Sequence, residues 1–261
     1  MSLTGKSPAE TYKDITYVDN DNNGVSSSLS VVRTGEGSST SLSVSDRSLK
    51  VKSATNNTVA LDVQNSSGTS KLFVDTTNGI VKTLGTHTNT QFATFSIVSI
   101  ESTGFVDDTH MPLTYSSANY STATYIPTFG TSTDPATTFT TSETNRERAA
   151  SLVPCLWYLP ANISIDSVHS IEGADAATGD TTRMHLFSYD FTSGATACLT
   201  NGTLLAHNSD VTNAGSEQPY LSTWTVDSAT VASGKVILAF FRSDSINSDY
   251  SIQVTVKYHL T

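Results

Sequence analysis

The chain is poor in the patterns that reaction chemistry needs. It has no Gly-x-Ser-x-Gly elbow, no phosphate-binding glycine loop, no Gly-x-Gly-x-x-Gly and no His-Glu-x-x-His. Its six histidines, at 87, 110, 169, 185, 207 and 259, form no i, i+4 pair. Cysteine is nearly absent. Cys155 and Cys198 make no Cys-x-x-Cys and join no Cys/His ligand pattern. Both lie in apolar-flanked stretches, which predicts two buried thiols rather than a disulfide. Apolar runs are short, none near the roughly 18 residues of a membrane-spanning helix. The opening Met1-Ser-Leu-Thr-Gly-Lys has no apolar core, so no secretory signal is expected, and synthesis in a cytoplasm is.

Charge is scarce too. Lys, Arg, Asp and Glu make up 15% of the 261 residues, against roughly 25% in an average soluble protein. Ser, Thr and Asn supply the polarity instead, a composition that suits exposed β-structure. The shortage is uneven. Residues 1–85 hold 8 Lys/Arg and 8 Asp/Glu, whereas 86–261 hold 6 and 16, which is all of the net −10. An acidic region repels phosphates, which argues against nucleic acid and anionic membranes as partners.

What the chain has is a short repeated strand. By residue 74 a Leu is followed two residues later by a Val five times: Leu29/Val31, Leu42/Val44, Leu49/Val51, Leu61/Val63 and Leu72/Val74. The last two head a near-copy, Leu61-Asp-Val-Gln-Asn-Ser-Ser-Gly68 and Leu72-Phe-Val-Asp-Thr-Thr-Asn-Gly79. Strand alternation puts the Leu and Val of each pair on one face. The closing Ser-Gly and Asn-Gly steps supply the positive φ of a tight turn. Such strands are marginal alone, and three chains around an axis can bury their apolar faces together. Candidate trimer contacts are therefore Leu49, Val51, Leu61, Val63, Leu72 and Val74.

The rest of the chain reads as longer strands. Residues 94–102, 152–159, 163–171, 182–189, 197–206, 220–226, 235–242 and 250–258 read as strands, with turn-rich connections and no βαβ pattern. In 94–102 Phe95 and Ile97 share a face while Val98 and Ile100 take the other, a phase slip that predicts either a bulge or a strand buried on both faces. In 250–258 Tyr250, Ile252, Val254, Val256 and Tyr258 face one way. The expected fold is all-β: a short-strand repeat region, then an antiparallel jelly-roll-like β-sandwich. The expected organisation is an arm and first strand over 1–24, a β-stem with linker over 25–89, and a sandwich over 90–261. A Ser/Thr/Ala/Tyr-rich excursion spans 114–142, followed by a short helix candidate over 141–150.

Four constellations invite chemistry, and each has a plainer reading. Asp19-Asn-Asp-Asn-Asn-Gly24 opens like a calcium loop, but position 12 is Ser30 and a turn explains it better. Glu143 and Glu147 stand four apart like a glycosidase pair, yet Arg146 and Arg148 interleave and favour a solvated ion-paired face. His169 and Asp166 lie on one strand and are expected on opposite faces. Tyr115, Tyr120, Tyr125 and Phe129 punctuate the excursion, where they pin it to its own sandwich or contact a subunit; sugar stacking ranks second. No catalytic, cofactor-binding or metal-ligating residue is expected, and no cofactor.

The stretch Leu3-Thr-Gly-Lys-Ser-Pro-Ala-Glu-Thr-Tyr-Lys-Asp-Ile-Thr-Tyr-Val-Asp-Asn-Asp-Asn-Asn-Gly24 resembles the N-terminal segment of tailed-phage virion appendage proteins. The run Val59 to Gly79 is similar to the repeat of trimeric phage fibres. The resemblance covers about residues 3–85. It implies a homotrimeric structural protein of a virion, made in the host cytoplasm: a head-decoration (cement) protein or a short fibre or spike. It also implies that the N-terminal part docks to capsid, neck or tail proteins, with Leu3, Tyr12, Ile15 and Tyr17 as contacts. The alternative is a host-recognition module whose sandwich binds a surface glycan; a polysaccharide-degrading enzyme is a distant third.

Overall fold

The computed structural model describes residues 16–21, 23–100, 110–116, 149–174, 179–196, 198–214, 218–245 and 250–261. The Leu3, Tyr12 and Ile15 contacts, most of the 114–142 excursion and Glu143/Glu147 lie outside them. The chain divides into two compact units, Met1–Thr88 and Asn89–Thr261. All regular structure in the described residues is β, apart from one 3-10 segment, Ala149–Cys155.

The first unit holds two antiparallel four-stranded sheets, each a run of sequential hairpins. One is β1 (Thr16–Val18), β2 (Ser30–Thr34), β3 (Ser39–Val44) and β4 (Leu49–Val51); the other is β5 (Leu61–Gln64), β6 (Ser70–Asp75), β7 (Ile80–Thr83) and β8 (Thr86–His87). Each near-copied segment is a strand that leads into a glycine-ended turn, of five residues between Gln64 and Ser70 and of four between Asp75 and Ile80. Gly68 and Gly79 end them at φ +80° and +69°, where a side chain would be strained. Asn65 Oδ1 accepts the Thr69 N–H at 2.8 Å, and Asp75 Oδ1 accepts those of Thr77 and Asn78 at 2.8 and 2.9 Å. The Asn78 side chain and these N–H donors hold the Asp75 carboxyl below its ordinary pKa.

The second unit is an antiparallel sandwich. Its strands are β9 (Thr90–Ile100), β10 (Met111–Pro112), β11 (Thr114–Tyr115), β12 (Trp157–Tyr158), β13 (Ile163–Ala174), β14 (Thr181–Asp190), β15 (Thr200–His207), β16 (Val211–Thr212), β17 (Gln218–Thr223), β18 (Thr225–Val226), β19 (Thr230–Val231), β20 (Lys235–Ser243) and β21 (Tyr250–Leu260). One sheet runs β11-β9-β21-β13-β17, with β19 beside β13. The other runs β10-β20-β14-β15-β18, with β12 beside β20 and β16 beside β14. Phe95, Ile165, Val168, Val254 and Val256 from the first sheet meet Met184, Leu186, Ile237, Ala239 and Phe241 from the second in one core. Tyr250, Ile252, Val254, Val256 and Tyr258 are all buried while Ser251 and Gln253 are exposed, as the alternation of β21 requires.

The second sheet is buried on both faces. Val236, Leu238 and Phe240 of β20 join Phe187, Tyr189, Leu152 and Cys155 in a separate cluster behind it. This explains the unbroken apolar run Val236 to Phe241, which a half-solvated strand would not carry. Cys155 is buried and Cys198 half-buried, and neither is in a disulfide.

The sequence pattern misplaces three features. The strand expected over 152–159 is a 3-10 turn through Cys155 with Pro154 inside it, and only Trp157–Tyr158 pair with β20. Proline has no N–H to give a ladder. The strand expected over 220–226 is two strands, because the chain changes sheets at Trp224: β17 pairs with β13 and β18 with β15. Buried Trp224 marks the crossing, its Nε1 donating to Ser170 Oγ at 2.9 Å. Third, Asp166 and His169 share the outward face. A bulge at Asp166 shifts the register of β13, so burial falls on Ile163 and Ile165 before it and on Val168 and Ser170 after it. The slip foreseen in β9 is also a bulge: Ile97 and Ile100 oppose Ile252 and Tyr250.

Val254 has no exposed surface. Val254→Ala is expected to cost about 1–3 kcal/mol in urea melts of the second unit. Val254→Lys is expected to unfold that unit; unchanged melting would show that the assigned core face is wrong.

Candidate functional site

Register turns the repeated Leu-x-Val pairs into paired faces. In the first sheet of the N-terminal unit Leu42 stands opposite Val51 and Val44 opposite Leu49. In the second, Leu61 stands opposite Val74, Val63 opposite Leu72, and Val74 opposite Val81. Opposed residues share a face, so each sheet has one aliphatic side. Leu29/Val31 does not join it, since Ser30 pairs with Val44 and Val31 with Ser43.

These faces are not covered. Leu49 is 67% exposed and Val63 47%, and Leu42, Val51 and Val81 are exposed as well. Leu61, Leu72 and Val74 are half-buried. Among the described residues of 16–88 the only buried one is Asp75, and no hydrophobic side chain is buried. A cleft of about 400 Å³ opens between Val51 of one sheet and Ala60, Leu61 and Val74 of the other. Strand β4 is an edge with all three residues exposed, an invitation to pair or pack with another chain.

The other candidate residues fall in different places. Tyr17 is exposed on edge strand β1, opposite Arg33. Arg33 bonds the Asp19 carboxylate and, at 2.9 Å, the Gly37 carbonyl and Ser39 hydroxyl. Asp19 is thus part of a side-chain clamp on the hairpin. Tyr115 stacks on Trp157 at 5.9 Å and tilts against Phe95 at 5.4 Å, so its ring rests on its own sandwich. Burial there raises its pKa. Tyr120, Tyr125 and Phe129 lie outside the described residues.

Two polar groupings escaped the sequence reading. Buried His110 and His185 meet, Nε2 to Nδ1, at 3.0 Å. The His185 ring stacks toward His207, whose Nδ1 lies 2.8 Å from Asp227 Oδ2. No spacing announces this row, because β20, β14 and β15 bring its members together from far apart in the chain. The second grouping is at one end of the sandwich core. Glu172 of β13 is 3% exposed and accepts a 2.7 Å hydrogen bond from Thr182 Oγ1 of the facing sheet. Its Oε1 has no hydrogen-bond partner among the described residues. Nearby in the same seam Ser243 Oγ and Tyr250 Oη are 3.0 Å apart. Burial pushes the Glu172 carboxyl up to about 7, against the smaller opposing pull of Thr182.

No protein-family model matches the chain, and no curated protein does. Among solved structures it is similar to a chain of the infectious bursal disease virus Gx strain, with 11% identity and a TM-score of 0.17. That match covers 97% of this chain and 56% of the other, so this chain spans about half its length. A likeness so slight bears on neither fold nor function.

Glu172 gives a pH test with a definite sign. Its carboxyl is raised in the fold, so the fold is favoured below its ordinary value near 4.5 and loses that favour as pH rises to about 7. The loss is on the order of 3 kcal/mol at full ionisation. Glu172→Gln is therefore expected to melt higher than the parent at pH 8 and nearly with it at pH 4.5. Parallel pH profiles for the two proteins would contradict this.

Proposed function

We propose that this chain is a structural protein of a virion, a head-decoration or short fibre or spike protein, that works as a homotrimer. One observation carries the reading: among its described residues the N-terminal unit has aliphatic faces and no buried hydrophobic side chain. Completing the burial of a half-exposed Leu or Val is worth on the order of 1 kcal/mol. Five or six such side chains per copy therefore supply several kcal/mol, a large share of the roughly 5–15 kcal/mol that holds a small domain. Three copies around an axis bury these faces against one another. The similarity of residues 3–85 to phage appendage proteins supports the trimer and the virion. The acidic surface disfavours nucleic acid.

In this reading the protein is not an enzyme and needs no cofactor. The N-terminal arm attaches it to other virion proteins through Leu3, Tyr12, Ile15 and Tyr17, aromatic anchors being the usual centres of contact energy. A host-recognition role, with the second unit binding a surface glycan, is the alternative. It rests on Tyr115, Tyr120, Tyr125 and Phe129, aromatic residues suited to stacking on sugar rings, and a glycan array probed with the full-length protein separates the two.

Two outcomes are expected. Sedimentation at micromolar concentration gives a trimer, and Leu61→Asp, which places a charge in a dry contact, releases monomers. A well-folded monomer or a dimer of the parent would contradict the reading. Deleting residues 1–24 is expected to abolish incorporation into particles; incorporation equal to full length would place docking elsewhere.

A further inference from the structure

The second unit has a surface that its own packing does not explain. On the outward side of the β9-β21-β13-β17 sheet, Leu221 and Ile171 form a cross-strand pair that continues into Gln253 and Ser96. Leu221 is 73% exposed and Ile171 50%. The neighbouring row holds His169 and Thr255 between two threonines. From the Gly173–Ser251 pair to the Lys257–Phe92 pair, the outward positions of these four strands carry one charge, Lys257, and no carboxylate.

That bareness stands against an acidic background. Residues 89–261 hold 16 Asp/Glu and 6 Lys/Arg. The described carboxylates of this unit are placed off that area. Asp180, Asp190, Asp210, Asp227 and Asp244 belong to the other sheet and its connections, Glu172 is buried inward, and Asp166 sits at the bulge bonded to His259. Two copies that each bring a net −10 repel wherever their carboxylates meet. They approach at least cost through a face whose described residues carry none. An exposed aliphatic pair on edge strand β17 and its neighbour β13, continued across the sheet by hydroxyl and amide side chains, is the chemistry of a contact between like-charged copies, apolar at one side and uncharged beyond it.

We propose that the outer face of the β9-β21-β13-β17 sheet, centred on Leu221 and Ile171, is a contact between copies of this chain. It rests on the homotrimer reading above and adds a second surface, separate from the aliphatic faces of the N-terminal unit.

The test is thiol labelling of the full-length protein. Leu221→Cys is compared with Ala232→Cys, whose site is exposed in a turn of the same unit, using an uncharged maleimide at a concentration where sedimentation shows the assembly. Labelling of the parent protein is subtracted as the background from Cys155 and Cys198. Leu221→Cys is expected to react about tenfold more slowly than Ala232→Cys, and Leu221→Glu to weaken assembly at least tenfold. Equal labelling rates in an assembled protein overturn this contact and leave the homotrimer standing. A monomeric parent protein overturns both. Protection of Leu221→Cys only within whole particles assigns the face to another virion protein and overturns the contact between copies.

Discussion

The structure depends on where apolar surface can be hidden. The N-terminal unit makes good backbone hydrogen bonds and well-formed turns, but two four-stranded sheets of two- to six-residue strands do not enclose a volume. Asp75, a turn carboxylate, is its only buried described residue. Hydrogen bonds in hairpins contribute little net stability against water, and ordering each residue costs about 1–2 kcal/mol of backbone entropy. A unit whose described residues bury no hydrophobic side chain gains from burial supplied by another copy. The Leu and Val faces are where that burial is available, and the proposed assembly rests on this deficit.

The second unit solves the same problem internally. Its long strands pack face to face, and the second sheet buries its far side as well. Its irregular points are the places where the chain is re-aimed. The bulge at Asp166 rephases β13, so that burial falls on Ile163 and Ile165 before it and on Val168, Ser170 and Glu172 after it. Trp224 carries the chain from one sheet to the other and spends its only donor on Ser170. At one end the core turns polar, with Glu172, Thr182, Ser243 and Tyr250 in the seam. A carboxyl there is tolerable chiefly in its neutral form.

Much of the β architecture was legible because strand alternation has a fixed period. The five inward residues of β21 and the slip in β9 could be read directly. What was hidden depends on partners distant in sequence. His110 and His185 meet because their strands both flank β20. Glu172 looks like any polar residue in an alternating strand until the Asp166 bulge turns it inward. The 220–226 run alternates well enough to read as one strand, and only pairing with two sheets divides it. Pro154 was a visible signal against a strand at 152–159, outweighed there by apolar neighbours. Leu29/Val31 shares the repeat but not the face, since the pattern fixes alternation and not which side a strand turns to its neighbour.

The most direct test is the concentration dependence of amide hydrogen exchange in Leu61–Gln64 and Ser70–Asp75. If copies supply the missing burial, protection of these strands is high in the assembly and falls steeply on dilution, while protection of β20 and β21 stays constant. Protection of Leu61–Gln64 and Ser70–Asp75 that is equally strong in dilute monomer would contradict the account, because the N-terminal unit would then be stable without a partner.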